Sequence, residues 1–208
     1  MNHSHCRPIK ERLSLALALA VLLTGCARSI PVQYYQLSAM REVGAPAEFA
    51  VSKEATIGLG PVSLPEYLVR PQIVSRTSAN RLSLSDRQRW AEPLAENLPR
   101  VLAEDLSALL GTDRILPYPW TRGRTIDCQI RVEVLQFEGG PNGTANLIAR
   151  WQVTGKDGLV LLPEKRSSFN LTATAQDQES MTVALSQAIS HLAREIAAAL
   201  PPLLAQGR

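Results

Sequence analysis

The sequence is short of the side chains on which most chemistry rests. It has three histidines and three cysteines in 208 residues, and His3, His5 and Cys6 lie in a leader-like N-terminal stretch. Beyond residue 25 the only histidine is His191, next to Leu192 on what reads as the last helix, so a half-exposed surface position is expected for it. No His/Cys cluster with zinc spacing can be assembled. A Gly-x-Ser-x-Gly elbow and a phosphate loop are both missing. Gly58-Leu59-Gly60-Pro61 lacks the third glycine of a dinucleotide fingerprint and has proline where a helix would open. Glu104 and Asp105 are expected on the solvated face of a helix rather than in a catalytic pair. These absences argue against an enzyme and against a bound cofactor or metal.

Charge of one sign is missing too. Residues 1–25 carry Arg7, Lys10 and Arg12 against Glu11, so their removal takes Lys+Arg from 22 to 19 and Asp+Glu from 19 to 18. A nearly neutral chain offers no electrostatic footprint for nucleic acid or for an acidic substrate. With 45% hydrophobic and 20% charged residues, it can bury a core and does not read as disordered. No internal repeat is found.

A long hydrophobic run is absent as well. The apolar stretch Leu13–Leu23 is too short to span a bilayer, which takes roughly 20 residues. It follows a basic segment and precedes Thr24-Gly25-Cys26, the pattern of a secretory signal peptide. Leu23-Thr24-Gly25-Cys26 resembles a lipobox, in which the Cys26 thiol takes a diacylglyceryl group, cleavage exposes its amine, and that amine is acylated. Two or three acyl chains hold a protein firmly on a membrane where one holds it marginally. The next residue is Ala27 rather than Asp, which by analogy with enteric lipoproteins points to the outer membrane, facing the periplasm. The expected organisation is a signal peptide over 1–25, a lipidated N-terminus and linker over 26–32, and one domain over 33–204.

With Cys6 removed and Cys26 lipidated, Cys128 has no partner for an intramolecular disulfide. Ile126, Cys128, Ile130, Val132 and Val134 alternate with polar residues, which places the thiol on the apolar face of a strand; the alternative is an intermolecular disulfide. The alternation changes parity at Val134-Leu135, where a β-bulge is expected. Shorter strands are read at 33–37 and at 56–60, the latter closed by Pro61, and around Ile115. A hairpin is read over 72–77 and 81–84. After 126–137 the chain returns through Leu147, Ala149, Trp151 and Val153, turns at Asp157-Gly158 and passes Phe169. Helices are predicted from near Pro93 to Leu110, stopped by Gly111, and from Ser180 to Leu200, stopped by Pro201-Pro202. The fold class is α+β: a mainly antiparallel sheet with two amphipathic helices packed on one face.

The unusual stretch is 57–93, where Leu64, Pro65, Tyr67, Leu68, Arg70, Pro71 and Trp90 set large apolar groups among prolines and arginines. Either its aromatics plug the core, or it forms an interaction surface of the residue types that dominate interface energy. Tyr34-Tyr35-Gln36-Leu37, the run Ile57–Val74 with Leu-Pro-Glu-Tyr-Leu-Val-Arg-Pro at its centre, and Arg89-Trp90-Ala91-Glu92-Pro93-Leu94 resemble the PqiC-like auxiliary lipoprotein family of ABC-type transport. The resemblance covers nearly all the mature chain. It implies a non-enzymatic, outer-membrane-anchored lipoprotein that forms a ring-shaped homo-oligomer. It also implies work with an MCE-domain protein bridging the periplasm, moving phospholipid or other hydrophobic molecules between membranes. The alternative is a structural or assembly lipoprotein of an outer-membrane complex with no lipid-handling role.

Overall fold

The longest strands form where the sequence alternates most strictly. In the computed structural model, which describes residues 31–39, 47–120 and 124–206, Cys128, Ile130, Val132 and Val134 of β6 (Cys128–Gly139) are buried while Arg131 and Glu133 between them are exposed. The chain divides into Met1–Pro31 and Val32–Arg208, and the fold belongs to the second unit. Cys26 lies outside the described residues.

Strand β6 pairs along its length with β7 (Thr144–Gly155), which pairs with β8 (Val160–Thr172), both antiparallel. The β6–β7 ladder slips between Val134 and Gln136, at the expected bulge. Beyond the slip Phe137 enters the core and Glu138, by the alternation of a strand, turns to the opposite face. The other edge of β6 is shared. β2 (Ile57–Ser63) runs parallel to its first half, and β3 (Gln72–Ser78) reaches its end, where Ser75 pairs with Gly139. Between them a single 3-10 turn spans Glu66–Leu68. β3 forms the predicted hairpin with β4 (Arg81–Trp90), β1 (Gln33–Tyr35) runs parallel to β4, and β5 (Ile115–Pro117) parallel to β2. The eight-stranded sheet is therefore mixed. Pairings are more often parallel than antiparallel, which corrects the expected mainly antiparallel sheet, although the two longest ladders are antiparallel. These parallel pairs join strands that are not consecutive in the chain, which local turn signals do not reveal.

Helix α1 (Leu94–Leu110) ends at Gly111 in the left-handed conformation (φ 67°), as its sequence predicts. Its last carbonyls accept hydrogen bonds from Phe49 N (2.9 Å, Leu109 O) and Val51 N (3.1 Å, Leu110 O), so the loop before β2 completes the helix end. Inside α1, Asn97 is 1% exposed. It accepts from Leu37 N at 2.8 Å and donates to Leu37 O at 3.3 Å, clamping the backbone just past β1. Helix α2 (Gln178–Gln206) packs beside α1, and both lie against the inward residues of the sheet in one core that contains Trp151, whose indole N–H donates to Ser167 Oγ at 2.9 Å. Among the described residues no helix is long and apolar enough to cross a membrane.

Four expectations are corrected. Pro61 does not close β2, because the ladder to β6 slips between Leu59 and Val62 and a proline without an N–H fits that irregularity. Pro201 and Pro202 do not stop α2, since Leu203 and Leu204 beyond them pack on the core and each proline removes one helical donor only. β4 does not end near Leu84 but runs on to Trp90, which places that residue of the unusual stretch in a strand. Asp105 is 0% exposed, not solvated: it lies four residues from both Val101 and Leu109 and so shares their buried stripe.

Candidate docking site around residues 64–71

The segment joining β2 to β3 has its course set by its sequence. Pro65 is extended (φ −64°, ψ 145°) and its carbonyl accepts Leu68 N at 2.9 Å, while Glu66 O accepts Val69 N at 3.0 Å. Pro71, with no N–H to offer, uses its carbonyl to accept Trp90 N at 2.8 Å. Leu68 and Trp90 are 2% and 6% exposed and belong to this chain's own core. Leu64, Pro65, Tyr67 and Arg70 are half-buried. The faces left outward belong to Glu66, Pro71 and Val69, the last 59% exposed. The segment thus does both things the sequence left open: its Leu68 plugs the core beside Trp90 of β4, and the turn presents a small outer surface.

Tyr67 is tied down by a polar cluster. Glu138, with a fully buried side chain, accepts Tyr67 Oη at 2.7 Å and Phe137 N at 3.0 Å on one oxygen and Arg76 Nε at 2.6 Å on the other. Arg76 also donates to Ala79 O at 3.1 Å. Burial, then the Glu138 carboxylate, push the Tyr67 phenol well above its ordinary pKa, and the hydrogen bond to Glu138 raises that of Arg76. A phenol and a guanidinium held by one buried carboxylate form a clamp that ties Tyr67 to the end of β6. Sequence reasoning did not find Glu138 or Arg76. The parity change at Val134-Leu135 hinted that Glu138 leaves the expected face, but its partners lie 71 and 62 positions away.

The three sequence segments that carry the family resemblance come together here. Tyr35 sits opposite Trp90 in the β1–β4 pair, and its carbonyl accepts Ala91 N at 2.8 Å. Gln36 donates to Glu92 at 2.7 Å, and Arg100 also donates to that carboxylate; the two contacts lower the Glu92 pKa. Gln72 pairs with Arg89, closing the link from 64–71 to the Trp-Ala-Glu-Pro-Leu run. His191 is exposed and stacks on Phe169, ring centroids 5.9 Å apart, away from this cluster of segments. Among the described residues no group of three or more His, Cys, Asp or Glu is placed to hold a metal ion.

A mixed α+β sheet carrying two helices, with 34–37, 64–71 and 89–94 brought together where β1, β4 and the start of β3 meet, defines the class: the chain belongs to the family of ABC-type transport auxiliary lipoprotein components, which it matches over residues 35–197. It is 25% identical over 150 residues to the intermembrane transport lipoprotein PqiC of Escherichia coli (strain K12), covering 72% of this chain and 78% of PqiC. The Shigella flexneri PqiC matches to the same extent. A crystal structure of a Xanthomonas campestris protein superposes with a TM-score of 0.67 at 14% identity, covering 84% of this chain and 98% of that one. A second, of an uncharacterised protein, gives 0.65 at 21% identity, covering 81% and 97%. These two share the fold.

Proposed function

We propose that this auxiliary lipoprotein is acylated on Cys26, anchored in the outer membrane facing the periplasm, and acts as a docking component of an MCE-type ABC transport system that moves phospholipid or other hydrophobic molecules between membranes. The organisation that goes with this reading is a signal peptide over 1–25, a linker over 26–32 and one domain over 33–204. Copies of the chain form a ring on which the MCE protein seats, and the outer surface of 64–71 takes part in that contact.

What carries the reading is the family match over residues 35–197. The name of PqiC, an intermembrane transport lipoprotein, supports transport between two membranes. The clamp on Tyr67 supports the choice of surface, because a turn already fixed loses little conformational entropy on docking. The test is a pull-down of the tagged, lipidated protein from membranes, with co-purifying proteins and lipids identified by mass. Recovery of an MCE-domain protein and bound phospholipid is the expected result. Recovery of an outer-membrane complex containing neither assigns the chain to assembly without lipid handling.

A further inference from the structure

The β3–β4 hairpin carries charge that the nearly neutral mature chain does not. Residues 70–89 contain Arg70, Arg76, Arg81, Arg87 and Arg89 against one acid, Asp86. Arg76 is committed to Glu138. Among the described residues, Arg70, Arg81, Arg87 and Arg89 form no ion pair, whereas Arg100, Arg150 and Arg194 each meet a glutamate. Arg81 and Arg87 are exposed, and Arg89 is half-buried with its Nε–H out of water and without a hydrogen-bond partner. This charge is left for something outside the domain to balance.

The chain's route says what that is. Gln33, Tyr34 and Tyr35 of β1 lie beside Gln88, Arg89 and Trp90 of β4, and β1 ends the strand order of the sheet. Gln33 is seven positions after Cys26. Seven residues span at most ~25 Å even fully extended, so lipids on Cys26 hold this edge within that distance of the bilayer. On the same edge Tyr34 is 63% exposed and Val32 38% exposed. A tyrosine with an apolar ring and a polar tip suits the headgroup level of a membrane.

Resting on the acylation of Cys26 proposed above, we infer that the β1–β4 edge is a second, electrostatic contact with the membrane: Arg81, Arg87 and Arg89 bind the phosphates of anionic phospholipids in the leaflet that holds the anchor, with Tyr34 at headgroup level. Arg70 stays with the docking segment. Lipid chains alone hold the protein down but leave it free to swivel on its linker; arginines along one edge select one orientation. Each arginine held near an anionic surface strengthens binding about fivefold. The attraction fades beyond a Debye length of about 8 Å in physiological salt, so it acts only when this edge is against the bilayer.

The test uses the lipidated protein in vesicles, with a fluorophore on Ser83→Cys, an exposed hairpin position, and quenchers attached to lipid headgroups. Buried Cys128 stays unlabelled in the native fold. Vesicles are phosphatidylcholine alone or with about 30% phosphatidylglycerol, where arginine–phosphate contacts should add severalfold to the quenching. Arg87→Glu should return the quenching to the phosphatidylcholine level, as should 0.5 M salt, while Arg166→Glu on the far strand β8 should not. Equal quenching in both vesicle types overturns the proposal, and so does an identical effect of the two charge reversals. Should Arg87→Glu release an acidic partner protein while headgroup quenching persists, the surface belongs to that protein and the lipid assignment fails. If mass shows Cys26 without lipid, the anchor reading fails by itself. The edge is then judged by cosedimentation of that chain with the same vesicles, which Arg87→Glu must weaken and Arg166→Glu must not.

Discussion

Tyr67 Oη donates to Glu138 Oε2 at 2.7 Å across 71 positions of sequence, joining the 3-10 turn of the docking segment to the last residues of β6. Tyr67→Phe deletes that donor while keeping the ring, and leaves a buried carboxylate one hydrogen bond short. The expected loss is about 1–3 kcal/mol. Glu138→Ala should cost more, since it strips both Tyr67 and Arg76 of their partner. Urea unfolding of the two variants checks the order, and a Tyr67→Phe midpoint equal to that of the parent would contradict the clamp.

Cys128 sets an alkaline limit on stability. Burial, with a smaller contribution from Asp127, pushes its thiol up to about 12. A raised pKa in the fold means that the protonated thiol contributes its full stability below the unfolded-state value near 9. That contribution is then lost as pH climbs toward the folded value, at about 1.4 kcal/mol per pH unit. Tyr67, shifted in the same direction, adds its own loss above about pH 10. Urea midpoints should fall between pH 9 and 10 in the parent and stay flatter in Cys128→Ala. The thiol should also react slowly with reagents until urea opens the core; fast native labelling would place it elsewhere.

Val69 offers a way to test docking without touching the core, because it is 59% exposed and its neighbour Leu68 is not. Val69→Asp should leave unfolding within about 0.5 kcal/mol of the parent. Its binding to the partner, or to further copies of the chain, should drop tenfold or more, about 1.4 kcal/mol. Normal assembly by a stably folded variant removes 64–71 from the interface.

Cys26→Ser should abolish fatty-acid labelling, because an alcohol cannot replace the thiol in diacylglyceryl transfer. The observation behind it is Leu23-Thr24-Gly25-Cys26 after the apolar run. A Cys26→Ser variant that stays on membranes and still takes up labelled fatty acid would remove the lipobox.

The legible parts of this fold were those coded within a few residues. The bulge after Val134 showed as a parity change, the end of α1 as Gly111, and the hairpin of β3 and β4 as two alternating runs around Ala79-Asn80. Where proline was read as punctuation, at Pro61 and Pro201-Pro202, local propensity lost to packing and to a ladder that could spare one donor. The parallel neighbours of β2 and the partners of Glu138 are set by residues far off in sequence, and no periodicity announces them. Of the candidate site, the segment 64–71 was visible through its prolines and aromatics, but the direction each side chain takes was not. Leu68 and Trp90 turn inward into the core, and Glu66, Val69 and Pro71 face out.

The clasp of Asn97 on Leu37 acquires a mechanical meaning once the chain is tethered upstream. With Cys26 acylated as proposed, a tug from its lipids would travel through the linker into Gln33–Tyr35, three residues paired parallel to β4, and load their hydrogen bonds together in shear instead of peeling them one at a time. Behind them the two hydrogen bonds between Asn97 and Leu37 would pass the force to α1, whose buried face is part of the core. Under the proposed acylation the domain would hang from a helix of its own core, with the short edge strand as the strap that leads to it.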